Sequence, residues 1–84
     1  MNVKVAEENL ILYSRSKCPL CEEAKSILEC FSIEKGIGYR EIDINSKDEL
    51  LERFALMIPV IEWKGEIIQY GKVKKKELYG IFEK

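Results

Sequence analysis

Two cysteines, Cys18 and Cys21, stand two residues apart in the stretch Ser14-Arg15-Ser16-Lys17-Cys18-Pro19-Leu20-Cys21. A short apolar run, Leu10-Ile11-Leu12-Tyr13, leads into that stretch, and a helix-periodic pattern leaves it. A cysteine pair at this spacing, where a strand turns into a helix, suits thiol–disulfide chemistry. On one turn of helix, positions i and i+3 lie on the same side, so the two sulfurs can meet. Pro19 fits the first helical position, where the N–H it lacks would have no partner. Cys18 is then the N-cap, facing the free amides of Leu20 and Cys21. Those amides, with the positive end of the helix dipole, favour a thiolate over a thiol. Cys18 is therefore the expected nucleophile and Cys21, one turn further in and less exposed, the resolving thiol. Arg15 and Lys17 flank the pair; they either steady a thiolate and attract an anionic partner or are solvated loop charges.

The same spacing is also half of a zinc site, which needs two more thiolate or imidazole ligands. The chain has no histidine and three cysteines in all, so one protomer cannot complete such a site, and no metal or organic cofactor is expected. Cys30, the third cysteine, lies ~13.5 Å along the helix from Cys21 and about half a turn round. It cannot bond to Cys21 and is expected to pack at the border of the apolar stripe.

The elements that must position the dithiol come from a chain of 84 residues, read as one domain over residues 1–84. A chain this small buries only about 60% of its unfolded surface. Its 46% hydrophobic and 35% charged content is that of an ordinary globular protein. A net charge of −1 argues against a nucleic-acid binder. No run reaches membrane-span length and Met1-Asn2-Val3-Lys4 has no apolar signal core, so no membrane association is expected. The expected compartment is the cytoplasm, where thiols are kept reduced and a working dithiol is more at home than a structural disulfide.

Residues 1–9 read as a lead-in, with Val3 and Val5 as candidates to extend the first strand. Leu10 to Tyr13 is apolar throughout, as a central strand buried on both faces should be. The following helix carries Leu20, Ala24, Ile27, Leu28 and Phe31 on one stripe and should end by Gly36, with Gly38 loosening the next turn. Glu22 and Glu23 in its first turn suit the dipole but oppose a nearby thiolate. Tyr39 to Ile44 alternates, predicting an edge strand. Ser46-Lys47-Asp48-Glu49 has capping-box spacing, predicting a helix with Leu50, Leu51, Phe54 and Ala55 inward. Met57 to Trp63 is an apolar run with Pro59 near its start; Lys64-Gly65 turns it and Glu66 to Tyr70 completes a hairpin. Gly71 breaks that strand, and Val73, Leu78, Ile81 and Phe82 mark a closing helix. Lys72, Lys74, Lys75 and Lys76 form a solvated face or, opposing the dipole as they do, a surface for an acidic partner. Tyr13 and Tyr70 either border the active groove or belong to the core, and Trp63 packs the hairpin. A strand–helix–strand crossover is right-handed, so the first two strands should be parallel, and the terminal hairpin antiparallel. The expected class is α/β.

From Leu10 onward the chain resembles the glutaredoxin branch of the thioredoxin fold. The resemblance is carried by Cys18-Pro19-Leu20-Cys21 after the first strand and by Ile58-Pro59-Val60 opening the third. Leu12-Tyr13-Ser14-Arg15 is similar to the corresponding stretch of small bacterial glutaredoxin-like proteins. The resemblance implies a minimal β-α-β-α-β-β-α thioredoxin fold: a four-stranded mixed sheet ordered 2-1-3-4, helices on both faces, and the dithiol at the start of the first helix. It also implies a cis peptide between Ile58 and Pro59 opposite the sulfurs, with the Ile58 backbone offered to a substrate strand. From the residues alone trans is the commoner form. Pro19, Leu20, Ile58, Pro59 and Gly71, with Arg15, Lys17 and Tyr13, are then the candidate substrate contacts.

Three departures stand out. Met57-Ile58-Pro59 replaces the common Thr-Val-Pro, and Leu20 replaces an aromatic residue within the dithiol motif. Tyr70-Gly71-Lys72-Val73-Lys74 has a single glycine where glutaredoxins commonly have a pair followed by an acidic or hydroxyl residue that helps hold glutathione. The dithiol chemistry carries over better than the glutathione site. The expected function is a glutaredoxin- or thioredoxin-like disulfide reductase and electron carrier. It would act as a monomer on protein or small-molecule disulfides, with glutathione or a flavin-dependent reductase as electron donor. The rival readings are a module holding an iron–sulfur cluster or zinc between two protomers through Cys18, and a redox-idle interaction domain.

Overall fold

In the computed structural model, which describes residues 9–82, the first apolar run becomes strand β1 (Leu10–Ser14). Helix α1 (Pro19–Lys35), strand β2 (Arg40–Asp43), a 3-10 turn (Ile44–Ser46) and helix α2 (Asp48–Phe54) follow. Strands β3 (Val60–Trp63) and β4 (Glu66–Tyr70) and helix α3 (Lys75–Ile81) complete the chain. The sheet order is β2-β1-β3-β4, with β1 and β2 parallel and the other pairs antiparallel. This is the order implied by the resemblance, and β2 is an edge strand as its alternation predicts. Val3 and Val5 lie outside the described residues. No helix among the described residues is long and apolar enough to cross a membrane.

Because alternate strand residues face opposite ways, β1 feeds two cores. Leu10 and Leu12 join Ile61 of β3 beneath α1 and α3, with Ala24, Leu28, Phe31, Val73 and Leu78. Tyr13 faces the other way and joins Val60, Ile44 and Phe54, with Leu50 and Leu51 of α2 half-buried beside them. Helices therefore cover both faces. Each large side chain fully buried in this way contributes roughly 1.5–3 kcal/mol. The first core is closed by rings: Phe31 lies 5.2 Å from Tyr79 and 4.7 Å from Phe82, and Phe82 lies 4.9 Å from Trp63.

The turn residues do what their positions ask. Gly36 takes a left-handed conformation (φ 69°) and its N–H donates to the Ser32 carbonyl, ending α1. Lys64 and Gly65 both have positive φ (51° and 85°), the pairing that a tight two-residue hairpin turn requires. The Lys74 backbone at the start of α3 is held by the Gln69 side-chain amide: Lys74 N–H donates to Oε1 at 3.2 Å and Nε2 donates to the Lys74 carbonyl at 3.5 Å.

Five details differ from the sequence reading. The inner stripe of α1 is Cys21, Ala24, Leu28 and Phe31, not one that includes Leu20, which is 42% exposed. Leu20 and Cys21 both fall at stripe spacing from Ala24 and Leu28, and of the two it is Cys21 that is buried while Leu20 is turned outward. Cys30 is exposed rather than packed, one position off the stripe at Phe31. The capping box does not form: β2 stops at Asp43, Ile44 turns into the second core, and α2 begins at Asp48 with Lys47 as an N-cap that makes no side-chain bond. Ser46 Oγ instead donates to the Asp43 carbonyl at 2.7 Å, inside the 3-10 turn that Asp43 itself caps. Near the C-terminus, Ile81 is exposed, and Tyr79 and Phe82 pack where it was expected. Tyr70 is exposed as well, so it is not a core aromatic.

Candidate active site

Cys18 has extended backbone (φ −123°, ψ 102°) and Pro19 occupies the first helical position. The Cys18 carbonyl accepts the first helical bond from Glu22 N–H at 3.0 Å. Its Sγ accepts from the Cys21 N–H at 3.2 Å, so the sulfur itself caps the helix. The two cysteines are joined as a disulfide, with Cα atoms 5.1 Å apart. Cys18 is half-buried and Cys21 is 3% exposed, so the first cysteine is the more accessible of the two. Arg15, Ser16 and Lys17 form an exposed turn before Cys18, with Lys17 in the left-handed region (φ 58°). Pro19 is exposed beside it.

The opposite rim comes from the approach to β3. Tyr13 pairs with Val60, which sets Pro59 across from Ser14, at the end of the sheet where the chain turns into α1. The Ile58–Pro59 peptide is cis. The Ile58 N–H donates to the Phe54 carbonyl at 3.1 Å, at the end of α2, as does Met57 N–H at 2.8 Å. The expectation that Ile58 offers its backbone to a partner therefore narrows to its carbonyl, which no donor among the described residues reaches. Gly71, with φ 74°, turns its N–H back onto the Met57 and Pro59 carbonyls at 2.9 and 2.8 Å. Its amide thus holds the rim together.

Tyr13 is buried, with its ring 4.6 Å from that of Phe54. Its hydroxyl donates to Glu62 Oε1 at 3.1 Å, toward the end of the sheet away from the dithiol, where Glu62 pairs with Ile11. Burial first, and then the Glu62 carboxylate, raises its pKa above the usual phenol value.

Three features were not read from the sequence. Ser14, a buried polar side chain at the end of β1, donates from Oγ to Glu41 Oε2 at 2.8 Å. The other Glu41 oxygen pairs with Lys25 at 3.3 Å, one turn after Cys21 on α1. That carboxylate raises the Lys25 pKa. The network ties β1, β2 and α1 together behind the dithiol. The second feature is an ion pair between Lys72 and Glu23 at 2.7 Å, joining the loop after β4 to the first turn of α1. The third is Leu56, wholly exposed in the turn leading to Ile58–Pro59. Its only signal in the sequence is that it falls off the stripe of Leu50, Leu51 and Phe54. No group of three or more His, Cys, Asp or Glu side chains fit to hold a metal occurs among the described residues.

The model of a family described as a glutaredoxin-like domain (DUF836) matches residues 9–81. Among solved structures, a structural-genomics target protein of X. campestris superposes with a TM-score of 0.73 at 21% identity, covering 88% of this chain and 95% of its own. A protein of Nitrosomonas europaea gives 0.73 at 20% identity, covering 96% and 98%. A glutaredoxin of Archaeoglobus fulgidus gives 0.65 at 14% identity, covering 99% and 98%. At these identities the structural likeness speaks for the fold alone.

Proposed function

This chain belongs to the glutaredoxin-like domain family, and from that premise we propose that it is a thiol–disulfide oxidoreductase reducing protein disulfides through Cys18 and Cys21. The observation that carries the reading is the helix start: a half-buried cysteine whose sulfur caps α1, with a buried partner cysteine one turn behind it. In the dithiol form the Cys21 N–H and the helix terminus favour negative charge on Cys18 Sγ, an effect of about 0.3–1 kcal/mol for a dipole of this kind at an exposed site. The thiolate attacks one sulfur of the substrate disulfide. A Cys18–substrate bond forms, the substrate S–S bond breaks, and the departing thiolate takes a proton from solvent. Cys21, as thiolate, then attacks Cys18 Sγ, forming the Cys18–Cys21 disulfide and releasing the second substrate thiol. The substrate gains two electrons and the dithiol loses two.

Re-reduction requires an external dithiol or thiol. Gly71 is a single glycine whose N–H is engaged within the rim, and this favours a flavin-dependent reductase over glutathione as donor. The protein acts as a monomer in the cytoplasm, where such donors keep a dithiol reduced. The test is reduction of a protein disulfide coupled to NADPH oxidation, run once with glutathione and glutathione reductase and once with thioredoxin reductase. Turnover is expected in the second arm above the first. An absence of turnover in both arms would refute the reading.

A further inference from the structure

We propose that the substrate is a protein segment with an apolar side chain beside its disulfide cysteine and an acidic residue close by, and that Leu20 and Leu56 select it. The proposal rests on the oxidoreductase reading above and adds the substrate class to it. Leu20, between the two cysteines, is 42% exposed, and Leu56, two residues before Ile58, is 100% exposed. Scattered surface leucines are ordinary. These two stand on the two segments that form the rims of the dithiol, at one end of the sheet. A partner bonded to Cys18 brings the residues beside its own cysteine over those rims.

The backbone there offers little recognition. A residue paired with an antiparallel neighbour can exchange both an N–H and a C=O with it. Ile58 can give only its carbonyl, because its N–H already serves Phe54, and the Gly71 N–H already serves Met57 and Pro59. Side-chain contacts must therefore carry the selection, and the exposed side chains there include two leucines and two cations beside Ser16, Pro19 and Tyr70. Arg15 and Lys17 are exposed, and neither has an ion-pair partner among the described residues, so they draw an acidic group. Glutathione answers the cations with its carboxylates but carries no side chain that would cover Leu20 or Leu56. A protein segment with both an apolar and an acidic neighbour answers both.

The test is single-turnover oxidation of the reduced full chain by four disulfides. Two are peptide disulfides, one with Leu-Cys-Val flanks and a nearby Asp, the other with Ser-Cys-Lys flanks. The others are glutathione disulfide and 2-hydroxyethyl disulfide. The apolar–acidic peptide should react about tenfold faster than the Ser/Lys peptide and glutathione disulfide, the low end of what one well-placed apolar contact supplies. Leu56→Ser should lower that ratio, and Leu20→Ser should lower it as well. Leu56 touches no core, so unchanged thermal melting of Leu56→Ser would confirm that the fold is intact. Equal peptide rates in the unsubstituted protein, or a ratio that survives both substitutions, would overturn the selection and leave the oxidoreductase reading standing. No reaction with any of the four, 2-hydroxyethyl disulfide included, would bring down both.

Discussion

Helices α1 and α2 start in opposite ways. At α1 the N-cap side chain is a sulfur that accepts the Cys21 amide, and a fully buried stripe holds the helix from Cys21 to Phe31. At α2 the N-cap is Lys47, which accepts nothing through its side chain, and of seven residues only Phe54 is fully buried. The first start holds a reactive atom still; the second merely begins a short cover for the sheet. A helix end can thus be tuned for chemistry or left plain, and the plain end here lies in the part of the chain that leads to the Ile58–Pro59 rim.

The largest effect should come from removing the reactive cap. Cys18→Ser leaves an oxygen able to accept the Cys21 amide but not able to exchange with a disulfide. Disulfide reduction should fall by on the order of 10³-fold or more while thermal stability in the reduced state barely changes. Cys21→Ser should instead accumulate the mixed disulfide on Cys18, visible by mass spectrometry. A Cys18→Ser protein that kept its activity would erase the distinction between the two helix starts.

Next in size is the difference in anchoring. Leu28→Ala, beneath α1, should cost about 2–5 kcal/mol in denaturant unfolding. Leu51→Ala, half-buried on α2, should cost about 1 kcal/mol, near the centre of the range for single substitutions. Equal losses would mean that α2 carries more of the fold than its burial indicates. Smaller again, Lys47→Asp gives α2 the side-chain cap it lacks, ahead of the Asp48 and Glu49 already in its first turn, and should stabilise by about 1 kcal/mol. For a chain of this size that raises the melting temperature by about 4–8 °C. Smallest is Ser46→Ala. A true capping box would lose about 1 kcal/mol. The bond Ser46 makes here is an exposed one inside the 3-10 turn, so a loss below about 0.5 kcal/mol is expected by chemical denaturation.

Alkaline pH probes the rings that close the first core. Desolvation first, and then the Glu34 carboxylate, push Tyr79 up to about 12 from its ordinary value of 10.0. The folded state then holds the phenolic proton more tightly than the unfolded chain. This contribution to stability is complete below about pH 10 and is lost as pH rises toward 12. Tyr79→Phe should flatten the fall in stability over that window, measured by urea unfolding at successive pH values.

What the residues alone determined is mostly local. Cys18, Pro19 and Cys21 lie within four positions of one another, so cap, first helical residue and facing sulfur follow from helix geometry without knowledge of the rest of the chain. The Lys64-Gly65 turn, the stop at Gly36 and the edge character of β2 follow from similarly short-range patterns. The strand order and the cis peptide were legible only through resemblance to a family. Tertiary structure decided the remainder, and in each case the deciding partner is distant in sequence or was misplaced by a one-residue shift. Leu20 turned outward because Cys21, one position on, took the buried stripe. Ser46 lost its capping role because Ile44 was drawn into a core built by Tyr13, Phe54 and Val60. Ser14 is buried because Glu41 on another strand meets it. A spacing rule reads contacts made along one turn of chain; it cannot read which of several equally polar or apolar side chains a folded neighbour will claim.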